Sequence, residues 1–287
     1  MTDNYTLITR RDIETLHGEF LLFGDPASPY WMLGLEEAEF PNIDPEAEIQ
    51  NKKQSVDEFI QTLILKTKKF KQAGKMSLRD FGSPEGSGFL PPIDYTKERD
   101  ASDTKYQTTW GGYIKLILSI NGNPNNLPWS IQDVKLYQKY HLGMLSSHLD
   151  PLGTCLLELF PLGRKNRSEW PYKFITDRDG LDYLESPSKY QREVVGNRVQ
   201  LLMKLVEKHR PKFLMCFGAD CRNSIRRVLS GNVDTLKIDN GNKMVVVSML
   251  QHEKTSIVFS AHPASRITSD LYWRNLGEQL AGKSNDI

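Results

Sequence analysis

The chain has 287 residues, and its 37 basic and 36 acidic side chains give a formal net charge of +1. Overall charge therefore gives no sign of a nucleic-acid partner, which would have to bind through local clusters. A hydrophobic fraction of 39% and a charged fraction of 25% are ordinary for a globular protein. Three cysteines suit a reducing compartment and exclude a four-thiolate metal cluster, and we expect no metal and no cofactor.

No apolar run approaches the roughly 20 residues of a membrane-spanning helix, and the start lacks the apolar segment of a signal peptide. We therefore expect a cytoplasmic protein that does not bind membranes. The length is enough for one large core. It predicts a single domain over 1–287, with a loop-rich insertion at about 40–109.

The N-terminal part alternates helical and extended patterns. Residues 7–19 predict a short helix, and Trp31–Leu33 predicts a short buried strand. Residues 55–73 carry apolar side chains at helical spacing. Ser55 and Glu58, three residues apart at the start of this segment, predict a capping box.

A segment rich in glycine and proline then interrupts the pattern, so residues 76–109 predict a long loop. The preceding helix ends in a cluster of lysines: Lys66, Lys68, Lys69, Lys71 and Lys75. The cluster fits either a solvated face favoured by the helix dipole or a ridge that faces phosphates. Trp110 opens an apolar helix over 113–120, and residues 131–149 also read as helical.

The C-terminal half alternates buried strands with helices. The predicted strands are 154–160, 212–217 and 256–260, and the predicted helices are 188–209, 219–229 and 268–281. Residues 233–250 predict strands or a hairpin, with Asn240-Gly241 as its turn. This alternation predicts an α/β fold, a three-layer α/β/α sandwich with a central, mainly parallel four-stranded sheet.

Two loops at strand ends carry side chains suited to catalysis. Gly34-Leu35-Glu36-Glu37 follows the first predicted strand, and His262-Pro263 follows the last. Ligands of open α/β sheets bind at the carboxyl ends of the strands, so these distant loops can face one crevice. The structural alternatives are acids at a helix start and a histidine with a purely structural role. The sequence leaves open which glutamate, Glu36 or Glu37, is the active one.

Two further segments lie between these loops in the chain. They are Leu156-Leu157-Glu158-Leu159-Phe160-Pro161-Leu162-Gly163 and Pro211-Lys212-Phe213-Leu214-Met215-Cys216-Phe217-Gly218. In this order the four segments resemble the uracil-DNA glycosylase superfamily, over about 30–280 without the insertion. The resemblance implies a monofunctional DNA glycosylase that flips a base out of double-stranded DNA and hydrolyses its N-glycosidic bond, leaving an abasic site.

The resemblance also implies roles for individual residues. Glu36, or Glu37 beside it, stands where the family activates water, and His262 stands where the departing base is stabilised. Glu158 stands at or beside the base-reading asparagine. The remaining implied contacts are to the base by Gly34, Leu35 and Trp110, and to DNA by Arg164, Lys165, Arg167, Ser265, Arg266 and Ile267.

Glu158 indicates the substrate. An ionised carboxylate only accepts hydrogen bonds, so it would repel the O4 carbonyl of uracil and suit the amino group of a cytosine or a sugar hydroxyl. We therefore expect a modified cytosine. The resemblance implies glucosylated 5-hydroxymethylcytosine in phage DNA as such a base, and an antiviral role, because some members of the superfamily excise it. Alternatively Glu158 faces the core edge or pairs with Arg164.

Three other functions stay open at this point. The first is a uracil-DNA glycosylase of base-excision repair, and the second is an inactive DNA-binding module of the same fold. The third is a different α/β hydrolase, such as a nucleotide or nucleoside hydrolase, that uses the same acid and histidine. For the glycosylase we expect a monomer.

Overall fold

The computed structural model describes residues 6–20, 22–36, 40–73, 108–121, 134–135, 137, 153–164, 168–263 and 265–283, without the side chains of 36, 70–73 and 108–110. The predicted loop 76–109 lies outside the described residues except for 108 and 109. Of the predicted helix 131–149, only residues 134, 135 and 137 are described, and these are helical.

Besides the helical residues 134, 135 and 137, the described part of the chain contains seven strands and six α-helices. The strands are β1 (Phe23–Gly24), β2 (Tyr30–Glu36), β3 (Thr154–Phe160), β4 (Phe213–Phe217), β5 (Val233–Asp239), β6 (Met244–His252) and β7 (Thr255–Ser260). The helices are α1 (Arg10–His17), α2 (Ile49–Ala73), α3 (Thr108–Ile120), α4 (Pro187–His209), α5 (Ala219–Arg226) and α6 (Asp270–Lys283). Short 3-10 turns cover Pro171–Ile175 and Asp182–Glu185. None of the described helices is both long and apolar enough to cross a membrane.

All seven strands form one mixed sheet in the order β1-β3-β2-β4-β7-β6-β5. The predicted α/β class is confirmed, whereas the predicted four-stranded, mainly parallel sheet is wrong. Strands β3, β2, β4 and β7 run parallel, but β1 and the β5–β6 hairpin extend the sheet with antiparallel pairs at its two edges. The β5–β6 hairpin joins the sheet through main-chain hydrogen bonds between β6 and β7. Local sequence patterns do not specify such pairing, so the addition of three strands to the sheet was not predicted.

Helices flank the sheet, as two neighbouring residues of β2 demonstrate. The Tyr30 hydroxyl donates to Oδ1 of Asn121, just after α3, at 2.9 Å. The Trp31 ring lies 5.8 Å from the ring of His209 at the end of α4. Successive side chains of a strand point to opposite faces, so α3 and α4 lie on opposite sides of the sheet.

Helix α2 begins six residues earlier than predicted. Ser55 lies inside the helix and its hydroxyl donates to the Asn51 carbonyl at 3.0 Å, so the predicted capping box with Glu58 is wrong. Part of the segment 40–109 is therefore an integral layer of the core, where Val56 and Ile60 are fully buried.

A buried ion pair fixes α2 to its surroundings. The Asp57 carboxylate is only 1% exposed and accepts both terminal nitrogens of Arg178, with Nη2 at 2.8 Å. It also accepts the main-chain N–H of Ile8 at 3.2 Å. Two-point binding by a guanidinium and a third donor compensate the cost of burying this charge.

Candidate functional site

The carboxyl ends of the four parallel strands lie together along one side of the sheet. This edge runs across the strands and is distinct from the two lateral edges formed by β1 and β5. The pairs in register at this edge are Gly34 with Glu158, Leu33 with Cys216, and Phe217 with Ser260. These pairs place the carboxyl ends of the four strands side by side in one row. Within it Gly34 and Glu158 face one side of the sheet, and Leu33 and Cys216 face the other. Predicted site residues from three distant parts of the chain thus follow or belong to one row.

Gly34 and Glu158 are in direct contact within this row. A Cβ atom added to Gly34 would lie 2.0 Å from Oε2 of Glu158 and 2.5 Å from its Oε1. The carboxylate therefore fills the space that any side chain at position 34 would take, and only glycine leaves that space open. Oε2 of Glu158 is shielded from solvent.

An aromatic pair lies beside the carboxylate. The Tyr113 ring of α3 packs on Phe217 at the end of β4, with centroids 4.2 Å apart. Burial raises the pKa of the Tyr113 phenol well above its usual range, and the charge of Glu158 raises it further. Tyr113 is thus a protonated donor close to Glu158. Sequence reasoning missed it, although Tyr113 follows Trp110 by three residues in a predicted helix and so lies on the same helical face.

His262 lies beside the start of α5. A Cβ on Gly218 would be 3.9 Å from the His262 Cβ, and the Gly218 N–H donates to the Ser260 carbonyl at 3.0 Å. Gly218 has φ of 85°, a left-handed conformation that favours glycine. The His262 side chain is exposed, yet partial burial lowers its pKa below the ordinary value. At neutral pH the imidazole is therefore mainly uncharged and can donate one hydrogen bond.

The loop after His262 is tightly folded. The Ser265 N–H donates to the His262 carbonyl at 2.8 Å. The Thr268 hydroxyl lies 2.8 Å from the Pro263 carbonyl and 2.7 Å from the Ser265 carbonyl. Arg266 is exposed, whereas the partly buried Ile267 packs against the core.

Helix α3 is in contact with the His262-Pro263 loop. A Cβ on Gly112 would lie 2.8 Å from Cβ of Pro263 and 2.9 Å from Cζ2 of Trp273 in α6. The absence of a side chain at Gly112 therefore allows α3, which carries Tyr113, to approach the loop. This contact brings the aromatic pair and the histidine loop to the same part of the edge.

The other predicted site residues are only partly described. The main chain of Glu36 ends β2 opposite Phe160. Leu35 is half-buried against the core, and Arg164 is half-buried after β3. Outside the described residues lie the side chains of Glu36 and Trp110 and the whole of Glu37, Lys165, Arg167 and Ala264.

Acidic and sulfur-bearing side chains do not cluster as a metal site in the described part of the chain. None of its groups of three or more histidine, cysteine, aspartate or glutamate side chains could hold a metal ion. Cys155, Cys216 and Cys221 are free thiols that are all buried. Burial raises the pKa of Cys216 well above its usual range, so that thiol is protonated at neutral pH.

Comparison with known proteins gives no relative for this chain. No protein-family model, no curated protein and no solved structure matches it. Its chemistry must therefore be inferred from the strand-end row, where the Glu158 carboxylate lies over Gly34 and the His262 loop follows β7.

Proposed function

We propose that the protein is a monofunctional DNA glycosylase, and that its substrate is a modified cytosine such as glucosylated 5-hydroxymethylcytosine. The observation that carries the proposal is the contact of the Glu158 carboxylate with Gly34, on the edge that also bears His262. The parallel strands β3, β2, β4 and β7, with helices on both faces, fit the three-layer core that the resemblance to uracil-DNA glycosylases implies.

Cleavage of the N-glycosidic bond separates charge, and the candidate residues can stabilise both the positive and the negative charge. Breaking an N-glycosidic bond leaves positive charge on the sugar and negative charge on the base. A carboxylate of Glu36 or Glu37 stabilises the sugar cation and orients the attacking water, as carboxylates do in other glycosidases. His262, largely neutral because its pKa is lowered, donates a hydrogen bond to the departing base.

Base selection rests on Glu158 and Tyr113. An ionised Glu158 accepts a hydrogen bond from the exocyclic amino group of cytosine, which uracil lacks. The Tyr113 phenol, protonated at neutral pH, donates to a base or sugar oxygen. Flipping the base costs a few kcal/mol, which contacts in this pocket must offset.

The DNA partner is bound through local cations in this proposal, since the net charge is only +1. Arg266 is exposed in the loop after His262 and fills the space left by the flipped base. Ile267 packs on the core, so we favour Arg266 for this role. Phosphates are held by Arg164 with Lys165 and Arg167. The protein acts as a cytoplasmic monomer.

The test is incubation of the protein with a panel of DNAs: unmodified, uracil-containing, hydroxymethylated and glucosylated. Alkali cleavage then reports abasic sites. We expect cleavage of the glucosylated DNA and a loss of about a hundredfold or more in His262→Ala, as when one anion-stabilising donor is removed elsewhere. Glu36→Gln, Glu37→Gln and the double variant identify the catalytic acid. His252→Ala, at the opposite end of the sheet, is the matched control and should keep full activity.

Each remaining outcome points to a different function. Full activity in both His262→Ala and the double glutamine variant would overturn the catalytic assignment. Tight DNA binding without abasic sites would favour the inactive binding module. Cleavage of the uracil duplex alone would overturn the assignment of the base, and hydrolysis of free nucleosides alone would favour a nucleoside hydrolase.

A further inference from the structure

The turn of the β5–β6 hairpin lies at the same edge of the sheet as His262. Strand β6 is antiparallel to β7 and pairs Ser248 with Phe259, so β6 begins where β7 ends. Asn240, the first residue after β5, is only 6% exposed. Turn residues usually face solvent, so a buried asparagine at this position requires an explanation.

The Asn240 side chain divides its hydrogen bonds between the turn and the His262 loop. Its Oδ1 accepts the main-chain N–H groups of Asn242 at 3.0 Å and Lys243 at 2.8 Å. Its Nδ2 donates to the Ile267 carbonyl at 2.9 Å. The Asn240 carbonyl in turn accepts the Ser269 hydroxyl at 2.8 Å. The hairpin therefore holds the distal end of the loop at two points, 267 and 269.

From these two points the hydrogen bonds continue to the histidine. The Thr268 hydroxyl lies within 2.8 Å of the carbonyl groups of Pro263 and Ser265. The Ser265 N–H then donates to the His262 carbonyl at 2.8 Å. A continuous set of bonds thus joins Asn240 to the main chain of His262.

We propose that Asn240 is a positioning residue, which sets the conformation of the 262–268 loop and through it the position of the His262 imidazole. We call the hydrogen bonds from Asn240 to the Ile267 carbonyl and from the Ser269 hydroxyl to Asn240 the brace. The effect of the brace on catalysis rests on the proposed function, whereas the existence of the brace does not. Catalytic groups must be held close to their productive geometry, and a displacement of about 1 Å can reduce the rate by about a hundredfold.

One substitution separates this role from ordinary turn formation. Asn240→Asp keeps an acceptor for the N–H groups of Asn242 and Lys243 but replaces the donor to Ile267 with an oxygen. The turn should therefore persist while the brace loses its bond to Ile267. Asn242→Ala is the matched control, because Asn242 is exposed in the same turn and contributes its main-chain N–H to the Asn240 side chain.

The first measurement is amide hydrogen exchange, which does not depend on enzymatic activity. In Asn240→Asp we expect exchange at Ser265 and Thr268 to accelerate by about fivefold or more relative to amides of α4, as expected for loss of one hydrogen bond. Asn242→Ala should match the unmodified protein. If Asn240→Asp does not fold, Asn240→Ala is measured in the same way. Unchanged exchange in the loop of a folded variant would overturn the proposal.

The second measurement is single-turnover base release with the DNA that the protein cleaves. We expect Asn240→Asp to lower the rate by about tenfold to a hundredfold with little change in DNA affinity, because it displaces a catalytic group. Faster loop exchange with unchanged base release would overturn the positioning role. Faster loop exchange in a protein that cleaves none of the DNAs would support the brace and reject the proposed glycosylase.

Discussion

Past the two residues that pair with β1, strand β3 borders the sheet on one side, and β5 borders it on the other. Side chains from helices cap both borders, but in different ways. At the β3 edge, Nε and Nη2 of Arg198 donate to the carbonyls of Leu159 and Glu158 at 2.7 and 3.1 Å. At the β5 edge, Nε2 of Gln279 donates to the Lys237 carbonyl at 3.0 Å, and Nδ2 of Asn275 to the Asp239 carbonyl at 2.9 Å. The first cap is a buried charge, and the second is a pair of neutral amides, of which Gln279 is exposed and Asn275 half-buried.

This difference indicates which edge is the more rigid. Arg198 is 1% exposed, lies 3.6 Å from the centre of the Phe20 ring, and also donates to the carbonyls of His17 and Glu19. Burial lowers its pKa to about 10, so it stays charged at neutral pH. The strand that carries Glu158 is therefore held by bonds that water cannot easily replace, whereas the amide bonds on β5 compete with solvent.

The largest effect should follow from removing the buried cap. Arg198→Leu leaves one buried and three partly buried carbonyls without their donor, so we expect the free energy of unfolding to fall by about 3–5 kcal/mol. Urea denaturation measures this. Arg192→Leu, at an exposed position of the same helix, is the control and should change stability by less than about 0.5 kcal/mol. Equal costs for the two variants would mean that Arg198 does not stabilise the β3 edge.

An intermediate effect is expected from a substitution at Gly34 of β2, which the Glu158 carboxylate covers. Gly34→Ala places a Cβ on the Glu158 carboxylate, so it should destabilise the protein by about 1–2 kcal/mol, as overpacking does elsewhere. In a Glu158→Ala background the same change should be neutral or stabilising by about 0.5 kcal/mol, because alanine loses less entropy than glycine. The double-mutant cycle in urea measures this coupling.

Gly196→Ala controls for the change of residue type. Apart from its chain neighbours and the backbone of its own helix, no atom lies within 4 Å of a Cβ at position 196 in α4, so alanine should stabilise the helix. An equal cost of Gly34→Ala with and without Glu158 would show that the carboxylate does not occupy the space above Gly34.

The fold was predictable where the signal is local. The parallel strands are apolar runs, and each was predicted to within a few residues. The predicted end of the first strand at Gly34 is wrong, because β2 continues through Gly34 to Glu36 and pairs with β3 there. The pairing of the β5–β6 hairpin with β7 was not predicted, because β6 alternates buried and exposed positions and could equally form a separate hairpin. The start of α2 was also missed, since Ser55 resembles a cap but donates to a helical carbonyl.

The candidate site was predictable only as a set of strand ends. Gly34 and Glu158 lie near the carboxyl ends of apolar strands and His262 follows another, so their common edge follows from the rule for parallel sheets. Tyr113, Asn240 and Arg198 were missed because their roles depend on partners far away in the chain. Arg198, for example, bonds carbonyls 39 to 181 residues away, and in the sequence it is one of several charged residues on an amphipathic helix.

The smallest effect should follow from removing one exposed cap. Gln279→Ala removes the donor to the Lys237 carbonyl at the β5 edge, where water can replace it. We therefore expect the free energy of unfolding, measured by urea denaturation, to fall by about 0.5–1 kcal/mol. Gln200→Ala, exposed on α4, controls for the change in helix propensity. A cost above about 2 kcal/mol for Gln279→Ala relative to Gln200→Ala would contradict the contrast between the edges. A cost in the expected range would support the contrast between the buried charged cap on β3 and the amide caps on β5.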